Sequence, residues 1–169
     1  MKTPPLRALL QPPTVAALVL AGAAATLAGA WTFQSLGFEP CVLCLKQRLP
    51  YYAALPLAAA AFFLARNGGR TAARVLLGLL AAVFSAGALL ALYHAGVEWK
   101  LWAGPTGCAG DFVKPASMED FRQQLNHVRV VRCDEVSFRL FGLSIAGWNF
   151  FISAGLALLA GFGAARKPG

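Results

Sequence analysis

The sequence predicts an all-α integral membrane protein: a four-transmembrane-helix bundle with a long outer loop carrying a short amphipathic helix. Three observations carry that expectation. Charged residues are 13% of the chain, against about a quarter in a soluble domain. Four stretches hold no charge at all: 8–38, 49–65, 75–93 and 140–165. Each is 17 residues or longer, and about 20 apolar residues span a bilayer as a helix. A segment in lipid must satisfy its own backbone, which leaves the helix as the reading for each.

The whole chain, 1–169, reads as a single membrane domain. Its start, "TPPLRALLQPP", is an irregular tail. The first span is expected near 14–33. Lys2, Arg7 and "LAGA" have the look of a cleaved signal. The apolar run of about 20 residues exceeds the usual h-region of about 7–15, which favours a retained span. An outer loop near 34–48 leads to span two near 49–65. "RNGGR" at 66–70 is a tight turn, where Asn and Gly stop a helix. Span three is placed near 75–94 and span four near 143–164. Between them, 95–142 is the one sizeable polar piece. Gly104, Pro105, Gly107 and Gly110 make its first half irregular. From Ser117, with Asp120 three residues on, a capping pattern opens. Met118, Phe121, Leu125 and Val128 then recur at helical spacing. That amphipathic helix lies on the membrane surface or on the bundle top.

The formal net charge of +8 is a matter of topology rather than of nucleic acid. No continuous basic stripe or base-stacking module is present. With four spans, both termini share a side with the 66–74 link. Those segments hold Lys2, Arg7, Arg66, Arg70, Arg74, Arg166 and Lys167, and no acid. The other side carries all the acids. Short cationic flanks beside spans mark the cytoplasmic side. Both termini are therefore expected in the cytoplasm.

All four cysteines then fall on the outer side. Cys41 and Cys44 lie in the first outer loop or the opening turn of span two, and Cys108 and Cys133 in the long loop. Outward cysteines in even number suit an oxidising, periplasm-like space. Three readings stay open: two structural disulfides, a zinc site of four thiolates, or a thiol–disulfide relay. A disulfide inside C-x-x-C closes a very small ring and stabilises little, which favours a labile pair. A zinc site would want its second pair close-spaced too.

On a helix beginning near Pro40, Cys41, Cys44 and Arg48 share one face. The helix N-terminus favours a thiolate there, and Arg48 adds a fixed positive charge. Arg48 is equally suited to holding a ligand oxygen or to snorkelling at the helix end. His94, in "LYHAGVEW", sits at the same outer level. A lone interfacial histidine is either a solvated cap or a ligand contact. Trp31, Trp99, Trp102 and Trp148 cluster near the outer ends, as in an aromatic belt.

"EPCVLCLKQR", followed by "LYHAGVEW", "GPTGC" and "CDEVSFRLFGLSIAGW", resembles the disulfide bond formation protein B (DsbB) family. The resemblance covers the whole layout and is most specific at 39–48 and 133–148. It implies a bacterial inner-membrane oxidase that reoxidises a soluble periplasmic DsbA-like dithiol protein. Electrons would pass to ubiquinone, with menaquinone the alternative. By matching position, Cys108 and Cys133 form the loop pair, and Cys108 takes the mixed disulfide with the partner. Cys41 and Cys44 form the membrane-proximal pair, with Cys44 toward the quinone. Arg48 and His94 match positions near the quinone head. Two pairs would divide a hard task, since DsbA is itself a strong oxidant at about −120 mV. A vitamin K epoxide reductase-like enzyme and a four-span protein with purely structural disulfides are the rival readings.

Overall fold

The computed structural model describes residues 11–105, 108, 117–119, 122 and 131–166. Four long helices dominate: α1 (Pro12–Ser35), α2 (Val42–Arg66), α3 (Arg70–Glu98) and α4 (Ile145–Ala165). They hold 24, 25, 29 and 21 residues, and all are long and apolar enough to cross a membrane. The shortest is about 32 Å long at 1.5 Å per residue, against about 30 Å of hydrocarbon. Short connections run between α1 and α2 and between α2 and α3, so neighbouring helices are antiparallel. One end of the bundle therefore gathers the α1 C-terminus, the α2 N-terminus, the α3 C-terminus and the α4 N-terminus. All four cysteines are at that end.

Local chemistry sets the helix limits. Proline occupies the first turn of α1, where its missing N–H removes no bond. The α2–α3 turn passes through Gly68 at φ +87°, a conformation that favours glycine. Three helix limits differ from the expected span ends. Helix α2 begins at Val42, well before the apolar run at 49, because Lys46 stays exposed and Gln47 finds partners inside. Helix α3 continues one turn past His94 to Glu98. Residues 143–144, assigned to span four from hydropathy, instead form strand β2 (Leu143–Ser144), paired antiparallel with β1 (Arg139–Leu140). Phe141 and Gly142 turn the hairpin at φ +51° and +84°, the pattern of a type I′ turn. Ser144 then caps α4, its Oγ accepting from Gly147 N–H at 3.1 Å. The amphipathic helix expected over 117–128 lies outside the described residues except at Ser117, Met118, Glu119 and Arg122.

The helices pack as a ring, most extensively between α3 and α4, sparsely across the α1–α3 diagonal and least between α2 and α4. Small residues let the backbones approach. Val15, Ala16, Val19 and Ala23 of α1 meet Ala54, Ala58 and Ala61 of α2 and Leu77, Leu80 and Phe84 of α3. Gly163 on α4 has no room for a side chain: a Cβ there would lie 2.8 Å from Val15 Cγ1. Toward the cysteine end this dry packing gives way to polar groups and a cavity.

Candidate active site

Cys41 is the N-cap of α2. Its Sγ accepts from Cys44 N–H at 3.2 Å, where a serine or aspartate oxygen usually sits. The capping geometry brings the Cys41 and Cys44 sulfurs to 2.7 Å, and neither is in a disulfide. Two sulfurs on one tetrahedral zinc would stand about 3.8 Å apart, from Zn–S bonds of about 2.3 Å. With His94 Nε2 the sulfurs do form a compact three-donor group. The sulfurs, however, stand about 0.7 Å beyond a disulfide, closer than two ligands of one zinc would.

His94 is buried and presents Nε2 to Cys41 Sγ at 3.7 Å. Its ring is fixed by a run of hydrogen bonds across three helices. Tyr51 donates to Asn149 Oδ1 at 2.6 Å, and Asn149 Nδ2 donates to Gln47 Oε1 at 2.5 Å. Gln47 then has only its NH₂ to offer His94 Nδ1, at 2.6 Å. Tyr51 has given its one proton to Asn149, so Ser153 donates to Tyr51, at 2.8 Å. Every donor in this run points toward the cysteines. Nδ1 is an acceptor, so the proton sits on Nε2 and faces Cys41. The Cys41 thiol is held far below its ordinary value of 9.0, at about 4. The hydrogen bond from Cys44 is the largest cause; His94 and the Cys44 backbone N–H add to it, while burial opposes it.

Glu98 lies one turn beyond His94, with Oε1 4.0 Å from His94 Nε2 and only 7% of its side chain exposed. The Ser144 hydroxyl bonds its carboxylate. Its Oε2 has no hydrogen-bond partner among the described residues.

Arg48 departs from the simple picture of a charge set beneath Cys44. Its guanidinium reaches α1, donating to Gln34 Oε1 at 2.8 Å and to Ala30 O at 3.3 Å. It still lines, with Cys41, Cys44, His94 and Glu98, a cavity of about 530 Å³. Ala25, Leu27 and Ile152 form its deeper apolar wall, and Phe33, Phe38 and Phe138 stand at its outer side. Those three rings meet one another at 5.4–5.8 Å between centroids.

Cys108 and Cys133 are joined by a disulfide. It is not displayed to solvent. Cys133 is 1% exposed, and the bridge packs with Cys41, Leu43 and Val97 in one buried cluster, with Cys44 at its edge. The fold thus brings Cys41, Cys44, His94, Cys108 and Cys133 together, with Arg48 across the cavity. Gln47, Tyr51, Glu98, Ser144, Asn149 and Ser153 were not singled out from sequence. Their signal was polarity in or beside apolar runs, at a spacing of four: 47 and 51, 94 and 98, 149 and 153. Of the tryptophans, Trp31 and Trp99 are exposed as a belt requires. Trp102 is exposed too and also stacks on Tyr93, while Trp148 donates to Leu140 O at 2.9 Å.

A free dithiol and a buried disulfide in contact, at one end of four membrane-crossing helices, define a thiol–disulfide oxidoreductase of the membrane. The family model for disulfide bond formation protein DsbB matches residues 12–163. The match takes in all four helices and the long loop, and the chain belongs to the DsbB family. It is a disulfide-forming membrane oxidoreductase that works with a thiol–disulfide partner. No curated protein and no solved structure matches the chain.

Proposed function

We propose that this protein reoxidises a periplasmic DsbA-like dithiol protein and passes the electrons through its two cysteine pairs to ubiquinone. The observation that carries this reading is the gathering of the Cys108–Cys133 disulfide and the Cys41–Cys44 dithiol in one buried cluster beside an apolar-walled cavity. The partner's thiolate attacks Cys108, and the mixed disulfide resolves to give the partner's disulfide and reduced Cys108 and Cys133. The loop dithiol then reduces the Cys41–Cys44 disulfide, which restores the Cys108–Cys133 bond. After that exchange the loop pair is oxidised and Cys41 and Cys44 are reduced. The buried bridge suits transfer between pairs, and the loop must lift for Cys108 to meet a soluble protein.

The cavity fits a quinone. Its volume lies in the range of small-molecule sites, about 300–1,000 Å³. Its wall is apolar, and its polar end carries Cys44, Arg48 and His94. A quinone bound there supplies a two-electron, two-proton acceptor. Cys44 would stand beside it, Arg48 would offer N–H donors to its oxygens, and His94 would line the same polar end with its Nε2–H toward Cys41. The His94 Nε2–H also steadies the lip thiolate, the nucleophilic form in exchange. The reading places the protein in a bacterial inner membrane, with the cysteine end in the periplasm and both termini in the cytoplasm.

The test uses purified protein in lipid nanodiscs with a reduced DsbA-like protein and ubiquinone, following quinone absorbance and partner thiols together. Loss of quinone in step with partner thiols is expected. Thiols that resist mild dithiothreitol, with no quinone reduction, would leave the cysteines as structural bridges. Faster turnover with menaquinone would change the acceptor and keep the mechanism.

A further inference from the structure

Among the described residues, Glu98 is an ionisable group that lines the site and that this mechanism leaves unused. Its side chain is 7% exposed, and it lines the same cavity as Cys41 and Cys44. An unpaired carboxylate out of water is costly, so a carboxyl kept there has a purpose or a partner. Its described neighbours supply one hydroxyl, from Ser144. Charged and titratable groups face it from every side: His94 on its own helix, Cys41 and Cys44 at the start of α2, and Arg139 on β1.

His94 cannot be the resting proton acceptor of this site. Gln47 occupies Nδ1 with an N–H, and Nε2 already carries the ring proton. That Nε2–H stands 3.7 Å from Cys41 Sγ and 4.0 Å from Glu98 Oε1. One donor therefore faces two acidic groups. It serves whichever is ionised, and their mutual repulsion opposes both being ionised together. Glu98 Oε2, without a described partner, is the oxygen left to hold a proton.

We infer that Glu98 is the proton store of the Cys41–Cys44 pair, filled when the pair is reduced and emptied when it is oxidised. The inference rests on the quinone-linked reading above. On reduction, the loop dithiol brings two electrons and two protons to the Cys41–Cys44 disulfide. The S–S bond breaks, one proton stays on the pair as a thiol beside a thiolate, and the second goes to Glu98. On oxidation, the thiol and thiolate close to the disulfide, and two electrons leave to the quinone. The thiol proton and the Glu98 proton follow, giving hydroquinone. Glu98 ends as carboxylate, ready for the next proton. One negative charge moves between the pair and Glu98, and none is left unbalanced.

Two measurements test this. The first needs no quinone turnover. The thiolate absorbance of the reduced protein in nanodiscs is followed as pH changes, in the native protein and in Glu98→Gln. The first ionisation of the native pair should be split by coupling to Glu98 and that of the variant should be a simple one-proton step; identical curves would overturn the inference. The second is the infrared difference spectrum when reduced protein labelled with ¹³C-glutamate is oxidised by ubiquinone. Loss of a protonated glutamic acid band is expected in the native protein, and this decides the matter even if Glu98→Gln does not fold. An unchanged acid band during full oxidation of the pair would sink the idea. In turnover, Glu98→Gln should slow quinone reduction about 100-fold, the scale of acid–base assistance, and flatten the pH profile. Glu98→Asp should recover to within about tenfold of native. Native protein that fails to reduce quinone at all would instead overturn the quinone reading, with the titration still reporting on Glu98.

Discussion

The two ends of the bundle are built from the same four helices by opposite means. At the end away from the cysteines, alanines, valines and leucines close the interior, and Gly163 lets α4 sit directly on Val15 and Leu77. At the cysteine end, α1 stands off behind a cavity. There Arg48 ties it to α2 through Gln34 and Ala30, and the Phe33–Phe38–Phe138 cluster props the outer side. Polar groups the closed end would not tolerate are satisfied by one another, from Ser153 to His94. The closed end holds the helices together, and the open end can therefore carry a cavity and a reactive dithiol.

The largest effect should come from separating the two cysteine pairs. Cys108→Ser removes the proposed partner contact at the loop and leaves Cys41 and Cys44 untouched. Partner-driven turnover should fall to background, while the lip pair, reduced with dithiothreitol, still reoxidises with ubiquinone. In Cys133→Ser, a stable mixed disulfide between Cys108 and the partner is expected. Trapping at Cys41 instead would reverse the proposed order of transfer.

Next comes the brace across the open end. Arg48→Met keeps the apolar stem and removes the charge and its donors. Charged hydrogen bonds in a partly dry site are worth about 1.5–3 kcal/mol. The quinone step should therefore slow, or its apparent KM rise, by about 10- to 100-fold. Exchange at the loop pair should change much less. Unchanged quinone kinetics would reduce Arg48 to a strut between α1 and α2.

The closed end should answer in stability and not in chemistry. Gly163→Val places a branched side chain where a Cβ alone already meets Val15 Cγ1 at 2.8 Å and Leu77 Cδ1 at 3.1 Å. Overpacking of this kind costs about 1–3 kcal/mol. A lower thermal midpoint with unchanged turnover per folded molecule is expected. A change in quinone KM with normal stability would show the two ends to be coupled.

The same contrast explains what was legible in the sequence. Four spans could be read because lipid imposes one rule, apolar length, on every residue in them. The C-x-x-C pair could be read because its chemistry is local. Three details depend on distant residues meeting. Gln47 reads as an ordinary polar residue until Asn149, over a hundred positions away, takes its carbonyl. Glu98 reads as the end of an acid-poor helix until Ser144 caps α4 against it. Arg48 was placed on the face of Cys44 by helical spacing, yet its long side chain turns to α1. The start of α2, expected near Pro40, stands apart from the apolar run at 49: hydropathy reports where lipid begins, whereas the helix begins where Cys41 can cap it.

The smallest effect should come from the far end of the polar run. Tyr51→Phe deletes one hydroxyl and leaves the ring packed edge-on to Phe84. Asn149 then loses the donor that fixes its amide, and Gln47 loses part of its reason to aim NH₂ at His94 Nδ1. The His94 proton is no longer held on Nε2, so the donor facing Cys41 is present only part of the time. The Cys41 thiol is held below its ordinary value, and losing stabilisation of the anion moves its midpoint upward. A neutral hydrogen bond contributes about 0.5–1.5 kcal/mol, and one pKa unit is about 1.4 kcal/mol. Two bonds removed from the sulfur, the effect should stay below about one unit. The sign matters more than the size: as pH falls, the variant should lose thiolate absorbance before the native protein does. A downward shift would mean that the run donates away from the cysteines, with His94 carrying its proton on Nδ1 and accepting at Nε2.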